Sequence, residues 1–527
     1  MQHNTKAPGA GSDIGAMSRS MLIVMILTMV GKLIGFLRET VQASMFGVSE
    51  LTDALKIALE APNLFLSVII IALAAAFIPA YNERLQKGGK EAADRFASNV
   101  ITLGMALSAG VLLLTLVFIG PIIEKLMLPY ATPETQQIAI RTARIMMPIG
   151  IFVFLSRMAT SYLQANFSFG IPALSQVFFN VVVIGAIILS RGENILYIAL
   201  GTLAGWLVQF IVQVPRIYKM GYRYRPTVNV KEPLLRDIGL LMLPLLATGA
   251  FDQLYILIRS IASDMAGHIT VLDLSTRLST MVSMVLLTTI ATVLYPSLVR
   301  HVGEKERFRD NLSFGINLNL LLALPASAAL IFLSGPITRL VYERGAFSTQ
   351  DTLLTAQTLA MTAVGILGIG LRELLTRCFY AQMDVKAPTI IGILTVALNA
   401  LLSFALYPVH GAPGIAIATS ISAIFSAVTL LILQTRRHRV LDGRRTLRCL
   451  WKTSVASATM VGLLLALLRA LRVESFAGGA FALAMLTLIL IGIGFYVAVL
   501  WALRTEELSM ALAFIGSKFS RVAKKSE

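Results

Sequence analysis

Residues 64–81, LFLSVIIIALAAAFIPAY, form an apolar stretch that contains no charged side chain. Its length approaches the roughly 20 apolar residues that an α-helix needs to cross a bilayer. Similar apolar windows lie on both sides of this stretch, and polar residues, prolines or glycines separate them. The fourteen windows are 21–47, 51–81, 96–120, 136–165, 171–190, 194–215, 237–263, 269–299, 311–335, 352–382, 388–408, 412–435, 449–471 and 476–503. The sequence therefore predicts an all-α polytopic membrane protein with about 14 transmembrane helices.

The composition of the whole chain agrees with this class. Of its 527 residues, 56% are hydrophobic and 14% are charged, whereas soluble domains have about 45–50% and about 25%. The formal net charge is +17, which in a soluble protein would suggest nucleic-acid binding. Here the Lys and Arg excess is better explained by loops that face the cytoplasm. We therefore expect membrane lipids, and no nucleic acid, among the partners.

Basic residues are concentrated in alternate loops of the predicted topology. The loops after spans two, six, eight and twelve are rich in Lys and Arg, and the intervening loops hold few. By the positive-inside rule, the basic loops face the cytoplasm. Because the number of spans is even, we expect both termini there too, with an N-terminal tail over 1–20 and a basic tail over 504–527.

Prolines recur at a nearly constant distance along the chain and indicate an internal repeat. Spacings of 217, 215 and 216 residues separate Pro79 from Pro296, Pro121 from Pro336, and Pro172 from Pro388. The repeating unit holds six spans, which predicts an N-lobe over 21–220 and a C-lobe over 231–437, related by pseudo-two-fold symmetry. Two further helices over 448–503 follow. This plan is typical of transporters with a central path between two lobes.

Cations inside the predicted spans mark a candidate binding site. A charge at the centre of a spanning helix costs at least ~2.5–3.5 kcal/mol, so it usually faces a cavity or a partner. Lys32, Arg38 and Arg277 lie well inside apolar segments. Such a cluster suits an anionic ligand, and guanidinium groups suit phosphate oxygens in particular.

Other charges in the spans leave two roles open, pairing with these cations or taking part in coupling. For Lys56, Asp273 and Arg377, which lie nearer to helix ends, snorkelling to the membrane surface is a further alternative. Candidates for coupling or for lining the cavity are Glu39, Glu60, Arg157, Asp252, Arg259 and Glu373.

Glycine and proline residues predict breaks in several spans. They are Gly31 and Gly35 in the first span, Pro62 in the second, Pro148 in the fourth and Pro244 in the seventh. Backbone groups freed at a break are tolerated only against protein or a water-filled cavity. Such breaks would also provide bending points for alternating access.

Motifs for enzymatic chemistry are missing from the sequence. Cys378 and Cys449 lie far apart in apolar surroundings, and no nucleotide-binding loop, zinc motif or serine-nucleophile motif occurs. We therefore expect a transporter and not an enzyme, with no catalytic residue, no metal and no cofactor.

Several short motifs resemble the signatures of the MviN/MurJ lipid II flippase family, which belongs to the multidrug/oligosaccharidyl-lipid/polysaccharide exporter superfamily. The likeness runs from about Met21 to Arg437 in one order and spacing. The motifs are GFLRE at 35–39, TDA at 52–54, PNL at 62–64, FIP at 77–79, RGAF at 344–347, FYAQ at 379–382 and DVKAP at 384–388.

The resemblance implies a bacterial inner-membrane protein of peptidoglycan synthesis that works as a monomer. It further implies a cationic cavity for the pyrophosphate and sugar-peptide head group of lipid II, and a groove for the isoprenoid tail at the last two helices. The basic residues that matter for activity in the family correspond to Lys32, Arg38 and Arg277. The acidic residue that opens the second span corresponds to Asp53.

Coupling and cargo stay open at this stage. Membrane potential, a proton gradient and a sodium gradient are all possible energy sources; the positions that are acidic in sodium-binding members correspond to Ile258 and Ser403. Alternative cargoes are another lipid-linked polysaccharide unit, or a drug exported by an ion-coupled carrier of the same fold. A membrane-embedded glycosyltransferase or phosphatase would need grouped acidic or nucleophilic residues in a long loop.

Overall fold

The computed structural model describes residues 10–232, 258–283, 289–438 and 443–505, together with a few single residues between 234 and 256. Helices make up 86% of the structure, and its described part contains no strand. The predicted all-α fold class is confirmed. Most of the predicted seventh span lies outside the described residues, as do Asp252 and Pro244.

Seven helices form the first half of the described chain. They are α1 (Ala10–Phe46), α2 (Glu50–Glu60), α3 (Asn63–Ile122), α4 (Pro133–Met146), α5 (Ile149–Ala165), α6 (Gly170–Leu189) and α7 (Ile195–Lys219).

Ten helices form the second half of the described chain. They are α8 (His268–Ser283), α9 (Thr289–Arg300), α10 (Lys305–Phe332), α11 (Ser334–Tyr342), α12 (Thr349–Ala363), α13 (Ile366–Ala381), α14 (Lys386–His410), α15 (Ala412–His438), α16 (Gly443–Ala470) and α17 (Gly478–Ala502). The short helix α11 was not predicted from the sequence, and most of it lies between the predicted spans 311–335 and 352–382.

Helix boundaries repeat with the spacing that the prolines predict. The first residues of α4 and α12 differ by 216 (349 − 133), and those of α5 and α13 by 217 (366 − 149). The same comparison gives 216 for α6 and α14 (386 − 170) and 217 for α7 and α15 (412 − 195). The repeat is therefore visible in the local structure, and in both copies two residues separate consecutive helices at this place, 147–148 in the first and 364–365 in the second.

Nine apolar segments of the described chain are long enough to cross a membrane, and the bent pair α4–α5 makes a tenth. The stretch Glu50–Met127 counts once among them although it has 78 residues. A helix of that length would extend roughly 120 Å, about four times the hydrocarbon thickness of a bilayer. At Gly89 the backbone leaves the helix with φ of 72°, a conformation that glycine adopts at little cost. We infer two crossings joined there; the total of fourteen stays a prediction.

Two of the predicted helix breaks are confirmed and one is wrong. Pro62 separates α2 from α3, and Pro148 lies between α4 and α5, which are bent by 45°. The break predicted at Gly31 and Gly35 is absent, because α1 continues through both. A Cβ at Gly35 would lie 3.5 Å from Nδ2 of Asn180 on α6, and that amide donates to the Gly31 carbonyl at 3.3 Å. These glycines allow close helix packing instead of bending.

The chain divides into two compact units. Unit 1 comprises Met1–Phe46, Ala54–Leu126 and Thr132–Gln253, and unit 2 comprises Gly47–Asp53, Met127–Ala131 and Leu254–Glu527. Two short segments from the first half of the sequence therefore belong to unit 2. The lobe and tail boundaries drawn from the sequence stay predictions.

Helices α16 and α17 pack onto α10 and α11 within unit 2. Met460 and Leu464 of α16 share a buried cluster with Leu321 of α10. The hydroxyl of Tyr496 on α17 donates to the Leu321 carbonyl at 2.7 Å. Arg339 of α11 lies 4.3 Å from the ring centroid of Phe481. The last two helices are thus an integral part of unit 2.

Close packing of α6 against α7 in unit 1 gives a test of the fold. A Cβ at Gly201 would lie 2.1 Å from Cβ of Ala186, whereas a Cβ at Gly185 meets nothing within 4 Å. We expect Gly201→Leu to cost about 2 kcal/mol or more through overpacking and to lower the melting temperature in detergent. Gly185→Leu is the matched control and should leave it nearly unchanged. Equal melting temperatures of the two variants would contradict this packing.

Candidate functional site

A buried charge cluster lies where α1 and α2 meet in unit 1. Glu39 accepts a hydrogen bond from Nη2 of Arg38 at 2.5 Å and another from Nζ of Lys56 at 2.9 Å. The side chains of Glu39 and Lys56 are 5% and 7% exposed. Lys56 therefore does not snorkel but forms a buried ion pair. We call this cluster the Arg38–Glu39–Lys56 triad, and its formal charge is +1.

Arg38 is the accessible member of this triad. Its side chain is 19% exposed, and its guanidinium carbon lies 5.5 Å from the ring centroid of Phe179. Stacking on an aromatic face leaves the edge of a guanidinium group directed toward hydrogen-bond acceptors. Arg38 is thus held in place by a carboxylate and a ring while part of it stays open to a ligand.

The other predicted site residues of unit 1 differ in position and in burial. Lys32 is exposed and lies six residues before Arg38 on α1, about 9 Å away along the helix axis. Glu60, the last residue of α2, is half-buried, and Arg157 on α5 is exposed.

Unit 2 contains a second cluster with the same set of charges, two cations and one carboxylate. Asp273 on α8 accepts from Nε of Arg277 at 2.8 Å and pairs with Nη2 of Arg259 at 3.8 Å. Asp273 is 11% exposed, Arg259 19% and Arg277 41%. We call this cluster the Arg259–Asp273–Arg277 triad; it also has a formal charge of +1. Asp273 is buried and paired, so it does not snorkel either.

A cavity of about 300 Å³, with a mostly apolar surface and several polar groups, lies beside the second triad within unit 2. Arg259 and Glu373 contribute its charged groups, and Glu373 accepts from Nη2 of Arg377 at 2.8 Å. Hydroxyl groups line much of the rest, from Thr276, Ser279, Thr280, Ser283, Thr362 and Thr419. Hydroxyls, a carboxylate and a guanidinium group together suit a ligand with many hydrogen-bonding groups.

Asp53 caps the first turn of α8. Its Oδ2 accepts from the Gly267 amide at 2.8 Å, and its Oδ1 accepts from the amide and the hydroxyl of Thr270 at 2.7 and 2.6 Å. The first turn of a helix has amides without partners in the helix and a partial positive charge. The buried carboxylate of Asp53, in the segment Gly47–Asp53, accepts hydrogen bonds from these amides and places a negative charge beside the positive end of the helix. The role in substrate binding predicted for Asp53 stays a prediction, and its contacts in unit 2 are those of a helix cap.

Sequence reasoning named Glu39 and Glu373 among the carboxylates that could pair with cations, but it did not identify the individual ion pairs. Two of the pairs had a usable signal, because Asp273 and Arg277, like Glu373 and Arg377, are four residues apart on one helix face. Lys56 and Glu39 are on different helices, so no periodicity connects them.

Neither of the two positions that the family resemblance relates to sodium binding, Ile258 and Ser403, carries a carboxylate. Ile258 is buried, and Ser403 donates from its hydroxyl to Oδ1 of Asn399 at 3.2 Å. Among the described residues no group of three or more His, Cys, Asp or Glu side chains is arranged to hold a metal ion.

Comparison with known proteins identifies the family. A sequence model described as lipid II flippase MurJ matches residues 42–492. The chain belongs to the lipid II flippase MurJ family. This match includes Asp53 and Arg277, while Lys32 and Arg38 precede it. The family resemblance noted in the sequence is confirmed, and with it the classification as a transporter.

Individual relatives of the MurJ family are similar over most of their length. A probable lipid II flippase MurJ from Thermotoga maritima is 31% identical over 493 residues, covering 92% of this chain and 96% of the relative. One from Rickettsia prowazekii is 29% identical over 433 residues, covering 80% and 84%.

Solved structures extend the comparison to the fold. A lipid II flippase MurJ in an inward closed conformation has a TM-score of 0.76 at 26% identity, covering 91% of this chain and 98% of that one. A multidrug resistance MATE family transporter of the MOP superfamily, inward-facing, has a TM-score of 0.65 at 15% identity, covering 79% and 98%. The second likeness is one of fold alone.

The first triad predicts a large effect of removing its carboxylate. Glu39→Gln removes the carboxylate that pairs with buried Lys56 at 2.9 Å, and breaking a buried ion pair typically costs about 3–5 kcal/mol. We expect a marked drop in melting temperature, and partial recovery in the double variant Glu39→Gln with Lys56→Met. Glu83→Gln, which removes the solvent-exposed pair with Lys87, is the control and should change little. A Glu39→Gln protein as stable as the parent would show that the pair contributes nothing.

The cap on α8 predicts a local effect of Asp53→Asn. Loss of the charge should weaken the cap by about 1 kcal/mol and speed hydrogen exchange in the first turn of α8. The measurement is exchange by mass spectrometry on peptides that cover 265–275. Asp351→Asn, in the exposed capping box of α12, is the control and should leave α8 unchanged. Unaltered exchange in Asp53→Asn would refute the cap.

Proposed function

We propose that this transporter moves lipid II, an undecaprenyl-pyrophosphate-linked saccharide, from the inner to the outer leaflet by alternating access. The observation that carries the proposal is the presence, in each unit, of two cations held by one buried carboxylate. Each triad has a charge of +1, and Lys32 adds a further positive charge. Positive charge of this kind favours an anionic ligand such as a pyrophosphate diester.

Arg38 and Arg277 are the proposed head-group ligands. Both are more exposed than the carboxylate that orients them, and a guanidinium group can donate two parallel hydrogen bonds to phosphate oxygens. Lys32 is exposed on the same helix as Arg38 and supplies a point charge. In the C-lobe, the hydroxyl-lined cavity beside Arg259 suits the hydroxyls of the attached sugars.

The carboxylates Glu39 and Asp273 supply the proposed switch. Without substrate, each neutralises part of the cationic charge and keeps the guanidinium group in one orientation. A bound pyrophosphate competes with them for the same donors, so binding and release change the ion pairs without changing any covalent bond. Energy from the membrane potential, or from a proton or sodium gradient, would reset the carrier.

The C-terminal helices support contact with the isoprenoid tail. Large apolar side chains on α17 are 55–77% exposed, namely Leu483, Leu486, Leu490, Ile493 and Trp501. Such a surface is stable only against lipid or another apolar chain. We place the protein in the bacterial inner membrane as a monomer with both termini in the cytoplasm, in agreement with the basic loops.

The alternative cargoes are less well supported. A cationic drug would be repelled by two triads that each have a charge of +1, and the family match does not favour a multidrug exporter. Another lipid-linked saccharide would use the same pyrophosphate contacts, so the test below must distinguish it.

Complementation tests the proposed function. We expect the chain to restore viability and outer-leaflet lipid II in bacteria depleted of their own flippase. Arg38→Ala and Arg277→Ala should each lower lipid II export at least tenfold, since each removes a charge-assisted contact worth roughly 1.5–3 kcal/mol. Export is measured at matched membrane levels of the protein.

The control is Arg309→Ala, on the exposed part of α10, which should export like the parent. Full rescue by both Arg38→Ala and Arg277→Ala would refute the head-group assignment. Failure of the well-expressed parent to rescue would instead identify another lipid-linked saccharide as the cargo.

A further inference from the structure

A second cavity, of about 320 Å³, lies within unit 1 and is almost entirely apolar. Helices α3, α5 and α7 form its walls, and neither α1 nor α2 contributes to it. Its aliphatic and aromatic lining includes Ile101, Met105, Leu155, Met158, Phe210 and Val214. It is therefore separate from the charged triad of the same unit and has no part in the proposed function.

The segment that follows α7 closes one end of this cavity. Its Tyr222 hydroxyl lies 2.9 Å from the Ser98 hydroxyl, and its Tyr224 hydroxyl lies 2.9 Å from that of Thr102. Both tyrosines line the cavity. Burial raises the pKa of Tyr222 to about 12, because it disfavours the charged phenolate. The Tyr222 hydroxyl is thus neutral, and both hydroxyls are already bonded to α3.

One cation has a defined place at the same end of the cavity. Arg223 donates to the carbonyls of Tyr218 and Tyr222 at 2.9 and 3.1 Å, and its guanidinium carbon lies 4.8 Å from the Tyr218 ring centroid. Tyr218 itself lines the cavity, so this cation is fixed at its edge. Arg216 and Lys219, in the last turn of α7, are exposed close by in sequence.

We propose that this cavity binds one acyl chain of an anionic phospholipid, whose phosphate lies at the rim formed by Arg216, Lys219 and Arg223. An apolar pocket with a cationic, aromatic edge complements such a lipid in both parts. The lining offers no charge for a polar solute, and the rim favours an anionic over a zwitterionic head group. This lipid is a resident of the cytoplasmic leaflet and not the transported cargo.

Lipid titration of the purified, delipidated chain tests this site. The probes are dioleoyl-phosphatidylglycerol and dioleoyl-phosphatidylcholine, and native mass spectrometry counts the bound lipids. We expect phosphatidylglycerol to bind at least about tenfold more tightly, with a preference that weakens as salt rises. Equal affinity for the two lipids would overturn the proposal.

Two variants separate the rim from the cavity. The triple variant Arg216→Ala, Lys219→Ala and Arg223→Ala should lose the preference for phosphatidylglycerol, and Val214→Trp should fill the cavity and weaken both lipids. The controls are the double variant Arg307→Ala and Arg309→Ala, at another exposed basic site, and Leu189→Trp, on the exposed surface of α6. Both should bind like the parent.

Two results would contradict the assignment. Unchanged binding in the triple variant and in Val214→Trp would place the lipid elsewhere. Displacement of phosphatidylglycerol by undecaprenyl phosphate, one molecule for one and abolished by Val214→Trp, would assign the cavity to an isoprenoid chain. Because the readout is binding of a lipid other than the cargo, its outcome is independent of the export assay.

Discussion

The cost of holding a charge away from water determines how this protein is built around its site. A cation inside a spanning helix is stable only beside an opposite charge or a wet cavity. Each unit meets this constraint in the same way, with one buried carboxylate between two cations, Glu39 in unit 1 and Asp273 in unit 2. Counted alone, each of these clusters has two cations for one carboxylate. Cationic side chains can therefore lie within apolar helices because each of them is paired with a carboxylate.

This arrangement links binding to the internal ion pairs. A phosphate that approaches Arg38 or Arg277 meets a guanidinium group whose orientation a carboxylate has already fixed, so little side-chain entropy is lost on binding. The same carboxylate competes with the ligand, which limits affinity and favours release on the far side. A weak anion gains too little to displace it, whereas a pyrophosphate with several acceptor oxygens gains more. In the proposed function, selectivity for a strongly anionic head group would follow from the pairing itself.

Much of the fold could be predicted from local sequence, because apolar stretches and prolines act over one or two helices. The proline spacing predicted the repeat that the helix boundaries show, and Pro62 and Pro148 do interrupt their spans. The break predicted at Gly31 and Gly35 was wrong, because glycine permits both a bend and close helix packing. Contact with the neighbouring helix α6 determines which of the two occurs, and a local pattern does not show that contact. The Glu39–Lys56 pair could not be predicted either, because it depends on how α1 and α2 approach each other.

The structural role of Asp53 depends on a contact with residues that are distant in the sequence. The amides of Gly267 and Thr270 that it caps lie 214 and 217 residues further along the chain, so no local pattern reveals the contact. Helix α2 begins instead with a local cap, in which the Thr52 hydroxyl accepts from the Ser49 amide. The segment Gly47–Asp53 joins α1 to α2, the helices of the first triad, and its last residue caps α8, the helix that carries Asp273 and Arg277. The contact explains why a carboxylate is favourable at position 53, since the amides at the start of α8 have no partner within the helix.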